Sequence, residues 1–347
     1  MSYNFKYREM TPDDGDNIKD LCKESPDTGS YSYYPDFHIN PYHGLSSQYP
    51  DNLGIVVECD DHDGVVAVGD SIFGKCFFNG KIRNFAFLKA YHVHLNFRRY
   101  KIGTGIQNNL VKMAQQKKGD DVLITGVVQT DNIGQIKMLK KTGVKVHNMF
   151  HSGIFSLSKS QPKHNNNYNV ERAETKDYEE IANNLNNFYQ GYNLYEPQTA
   201  ESLNAWVENP ICSVPFCHYY IVKDKKDNIL AGIGIVEEYR VRTFVVIDYP
   251  LKMKIVNPLL NIIPNDNIIR QLIGVKIWYK EDSLEAGQYL FNTVRWKWKD
   301  MANIFICHYD PRSKISKMIK LPKWRPKVQY YSMSPEQMDD NLICPII

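Results

Sequence analysis

The chain has 347 residues, 43% of them hydrophobic and 23% charged, with a formal net charge of +3. That length calls for two domains rather than one core, and that composition excludes a disordered chain. So mild a charge, with no cluster of Lys and Arg, argues against nucleic acid or a membrane surface as a partner. The seven cysteines, Cys22, Cys59, Cys76, Cys212, Cys217, Cys307 and Cys344, are scattered without a C-x-x-C pair and read as reduced thiols. With no signal-peptide core, an acidic N-terminus unlike a transit peptide and no membrane-length apolar run, the expected location is cytoplasmic, organelle import being left open.

A short strand near Phe5 to Glu9 leads to Thr11, a natural N-cap, with Asp13 and Asp14 in the first turn of an amphipathic helix through Ile18 and Leu21. Ser30 to His38 reads as a Tyr-rich loop. Gly54 to Cys59 and Val65 to Phe78 flank a turn at 60–64 and read as an antiparallel hairpin. A strand from Phe85 to Leu95 enters a basic loop, Arg98 to Gly103, that opens a helix over 104–116. The apolar strand 121–128 ends at Asn132, before a helix through Gln135, Met138 and Leu139.

The polar, Asn-rich stretch 161–169 is the expected linker, giving domains at 1–160 and 170–335 and a tail at 336–347. Beyond it the opening recurs: Arg8 and Arg172, Thr11 and Thr175, and Asp13 and Asp177 share one offset, as a duplicated domain would show. A second hairpin (218–222 and 229–236) and a long strand (272–279) follow. The expected class is α+β, each half a mixed, mainly antiparallel sheet flanked by helices.

The chemistry concentrates at Tyr91 to Ile106. A strand, a basic loop and a helix N-terminus make an anion cradle suited to a pyrophosphate: backbone N–H groups, a helix dipole, the charges of Arg98, Arg99 and Lys101, and side-chain-free approach at Gly103 and Gly105. The segment resembles the acetyl-CoA loop of GCN5-related (GNAT) acetyltransferases, V-x-P-x-Y-R-G-x-G-x-G/A or more loosely Q/R-x-x-G-x-G/A. Val93, Phe97, Arg98, Ile102 and Gly103 match and Gly105 falls on the small residue, whereas Leu95 replaces a frequent proline and Lys101 the first glycine. Downstream, Asn132, Met138, Gly143 and Val144 match that family's fifth strand and following helix, with Leu139 where its proton-donating tyrosine stands. The tandem layout, that lost tyrosine, and the close at Leu321-Pro322-Lys323-Trp324 with a β segment at 327–332 resemble plant Hookless-type N-acetyltransferases.

The resemblance implies acetyl-CoA held by Val93, His94, Leu95, Arg98, Arg99, Lys101, Ile102, Gly103, Thr104, Gly105 and Asn132, and acetyl transfer to a primary amine by direct attack. The acceptor would be a small amine, an amino acid or a protein amine. With no carboxylate in the central strand, His92 and His94 are the base candidates. Tyr33, Tyr34, Asp36 and His38 fall where such folds line the acceptor pocket and could hold a cationic amine, or simply pack as a Tyr-rich loop. No third ligand near the His-x-His pair suggests a metal. In the second half, the acidic run 280–287 would repel a pyrophosphate, so one cofactor site is expected. The rival expectations are a catalytically degenerate fold serving a larger assembly and an acyl-CoA-binding module.

Overall fold

The structure, a computed structural model, describes residues 3–28, 31–141, 143–211, 214–251, 254–255, 257, 263–321 and 327–346. Pro322, Lys323 and Trp324, Ser30 and Cys212 lie outside them. The first half runs β1 (Phe5–Glu9), α1 (Gly15–Glu24), β2 (Asp27–Thr28), β3 (Ser32–Phe37), α2 (Pro41–Gln48), β4 (Asn52–Cys59), β5 (His62–Phe78), β6 (Lys81–Val93), α3 (Ile102–Lys118), β7 (Leu123–Gln129), α4 (Ile133–Lys141) and β8 (Lys145–Ser156). The second runs β9 (Asn169–Arg172), α5 (Tyr178–Phe188), α6 (Ala200–Glu208), β10 (Pro210–Ile211), β11 (Val214–Pro215), β12 (Cys217–Lys223), β13 (Ile229–Val236), β14 (Arg242–Asp248), β15 (Ile268–Ile269), β16 (Gln271–Tyr279), α7 (Leu284–Lys297), β17 (Ile304–Tyr309), α8 (Ile315–Ile319) and β18 (Lys327–Ser334).

Twelve of these strands make one sheet, in the order β1-β4-β5-β6-β7-β18-β8-β17-β16-β13-β12-β9. Neighbours are antiparallel except β6 with β7 and β16 with β17. The halves exchange their last strands. β8 leaves the first half to pair with β17, while β18 returns from the end of the chain to pair with β7 and β8. The Thr125 hydroxyl donates to the Met333 carbonyl at 2.9 Å across that seam. The segment after β18 is tied in as well: Met338 and Ile343 are buried in the first half's core, and the Cys344 N–H donates to the Asn193 carbonyl at 2.8 Å.

Helices cover both faces because each presents one apolar stripe. α3 lays Ile102, Ile106, Leu110 and Ala114 on one face of β4–β6, and α1 lays Ile18, Leu21 and Cys22 on the other. α7 does the same for the second half through Ala286, Leu290, Phe291 and Val294, opposed by α5 and α6. A smaller sheet, β15-β14-β3-β2, joins the halves across one face. The Tyr-rich stretch is therefore a strand: β3 pairs with β14, from Phe37↔Arg242 to Ser32↔Asp248.

The two chain starts superpose as a repeat, one residue off the register expected from sequence. Asp14 accepts from the Thr11 N–H at 2.8 Å, and Asp177 accepts from the Glu174 N–H at 2.9 Å. Thr11 thus corresponds to Glu174 rather than Thr175, and Asp14 rather than Asp13 to Asp177. A cation holds each buried carboxylate: Arg8 at 2.6 Å from Asp14, Lys223 at 3.2 Å from Asp177. Among the described residues no helix is long and apolar enough to cross a membrane.

Strand exchange makes each half's sheet incomplete without the other. Calorimetric unfolding of the full chain is expected to show a single transition. A chain ending at residue 321, which exposes the β7 edge, is expected to lose cooperative melting; two resolved transitions in the full chain would contradict the interlock.

Candidate functional site

The site begins with a register fault. β5 and β6 pair regularly from Phe78↔Lys81 to Asp70↔Lys89, then resume at Val68↔His92. One residue on β5 therefore faces two on β6, and Ala90 takes up the excess with φ at +55°. The parallel ladder to β7 also stops here, at Leu88↔Gly126. β6 continues to Val93 with no partner on that side, and the gap between the splayed strands is a cavity of about 830 Å³. Every residue from Leu88 to Val93 lines it.

At one end of this cavity stand Arg98, Arg99, Gly103 and Gln107. Lys101 is the N-cap of α3, in the left-handed region at φ +63°, and no side chain caps the helix. A left-handed conformation explains why a glycine suits this place in the resembling pattern; lysine there carries a strain of about 1 kcal/mol. The first N–H groups of α3 are thus uncapped, and a Cβ on Gly103 would meet nothing within 4 Å. Gly105 is different: its Cβ would come within 2.1 Å of the Tyr7 hydroxyl, so this glycine serves packing. Uncapped N–H groups, three basic side chains and an open approach fit a diphosphate. At the other end, Leu139, Val144 and Met333 make an apolar wall. Leu139 is buried among them and offers no proton.

A second cavity, of about 190 Å³, meets the first at Asp27 and Lys89–His92. Tyr33, Pro35 and Phe37 of β3, Val241 with Arg242 and Phe244 of β14, and Asp70 of β5 close it. Asp70 stands across the ladder from Lys89, yet its Oδ1 has no partner. Burial pushes its carboxyl up to about 7, against the opposing pull of Lys89 and Arg242.

His92 lines both cavities. The carbonyls of Ser25 and Leu21, at the end of α1, lie beside its ring, and Nε2 is buried with no hydrogen-bond partner among the described residues. Burial holds the imidazole below its usual range, with Arg98 acting the same way and Asp27 opposing.

The other residues singled out in the sequence divide between site and support. Val93, Arg98, Arg99 and Gly103 line the large cavity, and Ile102 is buried under α3. The Leu95 N–H is given to Ser25 Oγ at 2.9 Å and the His94 N–H to the Val66 carbonyl at 2.9 Å, so neither is available to a ligand. Asn132 caps α4, accepting from the Gln135 N–H at 3.1 Å. Strand alternation puts Tyr33 on the cavity and Tyr34 and the exposed Asp36 on the opposite face; the exposed His38 only continues the β14 pairing, its N–H donating to the Val241 carbonyl. His94 points away from both cavities, toward His62 and Glu24, one ligand atom from each of the three lying within 4.8 Å of the others. The sequence offered no third ligand for His94; folding supplies two. Yet its Nδ1 accepts from the Asn96 N–H at 3.3 Å, which places the hydrogen on Nε2, facing Glu24 at 3.6 Å, and that tautomer is an ion-pair donor rather than a metal ligand.

Asp27, Asp70, Lys89 and Arg242 were not legible as site residues. The signal was there for two of them: Asp70 and Lys89 are charges set in the apolar middle stretches 65–74 and 85–91 of long strands, a placement that needs a partner or a purpose.

The second half repeats the fault and fills it. β13 and β16 slip between Gly232↔Trp278 and Gly234↔Val275, with Lys276 at φ +49° in the place of Ala90. Where His92 stands in the first half, Trp278 is buried and donates to Tyr219 Oη at 3.0 Å, and Lys276 Nζ donates to Gln198 Oε1 at 2.7 Å. The turn before α7 spends its charges on neighbouring elements, Lys280 on Glu180 at 3.2 Å and Glu281 on Lys314 at 3.4 Å. The Tyr-rich stretch 188–196 packs into this half's core through Tyr189, Tyr192 and Tyr195.

No protein-family model and no curated protein matches the sequence. Solved structures do. N-myristoyltransferase of Saccharomyces cerevisiae with bound myristoyl-CoA superposes with a TM-score of 0.62 at 10% identity, over 94% of this chain and 78% of that one. A tandem GNAT protein from the clavulanic acid biosynthesis pathway gives 0.55 at 9% identity, over 97% of this chain and 100% of that one. A GCN5-related N-acetyltransferase from Kribbella flavida gives 0.52 at 9%, over 95% and 71%. At such identities the likeness is one of fold: two GNAT-like units in tandem, on a mixed, mainly antiparallel sheet flanked by helices.

A carboxyl whose folded pKa is raised keeps its proton longer in the folded chain, so it costs stability as pH climbs from 3.8 to about 7. Asp70→Asn is therefore expected to be more stable than wild type at pH 8, by on the order of a few kcal/mol, with the gain gone near pH 4. Thermal melts across that range check it; a difference that does not vary with pH would contradict the assignment.

Proposed function

We propose that the protein is an acyl-CoA-dependent N-acyltransferase that moves an acyl group, acetyl by the likeness of its loop, to a primary amine by direct attack. The observation that carries this reading is the meeting of two cavities at the bulged segment Lys89–His92, one running to an uncapped, basic helix N-terminus and the other lined by charged groups. The fold neighbours, a myristoyltransferase and a GCN5-related acetyltransferase by name, support it. The likeness to Hookless-type chains and a cytoplasmic location belong to the same proposal.

The N–H groups of Ile102, Gly103 and Thr104, with Arg98, Arg99 and Lys101, hold the diphosphate. The unpaired edge of β6 from Lys89 to Val93 presents backbone donors toward the thioester carbonyl, whose oxygen gains negative charge as the amine attacks. When bound, acyl-CoA supplies an acyl carbon activated by its thioester; the C–N bond forms, the C–S bond breaks with its electron pair going to sulfur, and CoA leaves as the thiolate. His92 Nε2 takes the proton that the amine loses. A depressed pKa keeps this imidazole neutral at pH 7 and ready to accept. The first half thus does the chemistry, while the second contributes Arg242 and Phe244 to the acceptor wall. Leu139 favours a second reading, binding without turnover or a role in an assembly, because no proton donor stands at that place.

Calorimetry with CoA and thiol release with amines separate these. Gly103→Asp, which fills open space with negative charge, is expected to keep its melting temperature and bind CoA about 100-fold more weakly. His92→Gln is expected to keep CoA affinity and lower kcat by roughly 10²- to 10⁴-fold. Unchanged CoA binding in Gly103→Asp, or full turnover in His92→Gln, would overturn these assignments.

A further inference from the structure

The small cavity holds charged groups whose hydrogen-bonding capacity the protein leaves unmet. Arg242 donates from Nε to Glu238 Oε1 at 2.7 Å, and its guanidinium lies against the rings of Phe37 and Phe244, 5.8 and 5.4 Å from their centroids. Glu238 is buried and held in turn by Gln48 at 3.0 Å. The guanidinium is thus fixed in place, yet neither Nη has a protein acceptor among the described residues. Lys89 Nζ rests over the Tyr49 ring, 4.5 Å from its centroid, and is in no ion pair among those residues. Asp70, its cross-strand neighbour, keeps Oδ1 unpartnered, and Asp27 adds a second carboxylate. Groups of this kind are normally satisfied when removed from water. Here opposite charges stand one ladder step apart without closing on each other, with a cavity of about 190 Å³ beside them.

We infer that the acceptor is a small amine that also carries a carboxylate, an amino-acid-like zwitterion, with its carboxylate on Arg242 and Lys89 and its amine on the side of Asp27, Asp70 and His92. This rests on the acyl-transfer reading above and names its substrate class. A plain alkylamine would meet the acids and leave both Nη groups of a fixed guanidinium without an acceptor. A peptide N-terminus would offer Arg242 an amide oxygen in place of a carboxylate. A zwitterion satisfies both signs at once and leaves the pocket electrically balanced. His92 lies where the two cavities join, so an amine held on the acid side sits beside the proposed base.

The test measures thiol release from acetyl-CoA with the twenty L-amino acids, each beside its α-amide and its glycyl-extended dipeptide, and with n-propylamine. At least one free acid is expected to exceed its amide in kcat/KM by about 100-fold, and n-propylamine by more. Lys89→Met is expected to cut that acid-to-amide preference about 10-fold through KM, and Arg242→Gln further. Lys89→Met leaves the Arg242–Glu238 pair whole, so it decides the matter if Arg242→Gln does not fold. Amides or dipeptides used as well as acids, or a preference that Lys89→Met does not move, would overturn the inference. If no acceptor turns over, the acyl-transfer reading fails by itself. Thermal shifts of the CoA-loaded protein with the same pairs then decide: a shift with an acid and not with its amide upholds the zwitterion pocket, and equal shifts or none overturn it.

Discussion

One extra residue in β6 sets up everything that the site contains. Because Ala90 and Tyr91 face the single Gly69, β6 leaves its ladder with β5 for a step just where its ladder with β7 ends. A strand with neighbours on both sides would have every N–H and C=O engaged. Here the segment Lys89–Val93 is held at its ends and open along one edge, so backbone donors face a cavity without costing the sheet its integrity. The same step brings His92 to the junction of the two cavities, next to the Asp70–Lys89 pair that ends the regular ladder. Shifting the fault by one residue would exchange the faces of all these side chains.

The duplicated half shows that the fault alone is not a site. Lys276 reproduces the backbone of Ala90, but Trp278 and Tyr219 occupy the space that His92 and its cavity have in the first half. The helix that follows opens from a turn whose Lys280 and Glu281 pair with Glu180 and Lys314, rather than from a basic, uncapped loop. One copy therefore keeps an opening and the other a core. The closed copy still contributes, since β14 carries Arg242 into the first half's small cavity and β18 seals β7. Strand exchange explains how two halves of such different character are held in a fixed relation.

Local signals were legible and long-range ones were not. The hairpins, the basic loop and α3 follow from apolar alternation and from the glycines at 103 and 105, and they lie where the residues pointed. The repeat was visible but read one residue out of register. Thr175 has the chemistry of a cap, whereas the carboxylate of Asp177 actually satisfies the Glu174 N–H. Nothing local tells β18 to insert between β7 and β8, or β3 to pair with a strand more than two hundred residues away. The wall of the small cavity depends on that pairing, and so Tyr33 could be named while Arg242 could not. His92 and His94 were equivalent on paper because alternation puts both on one face. The turn that begins at Leu95 rotates His94 out toward His62 and Glu24.

The central claim is that only the open copy of the fault binds acyl-CoA. Calorimetric titration of CoA, paired with hydrogen-exchange protection, tests it most directly. The structure leads us to expect one CoA per chain, with protection over Leu88–Val93 and the start of α3 and none over the start of α7. A stoichiometry of two, or protection centred on residues 280–290, would contradict the account, and so would the absence of any binding.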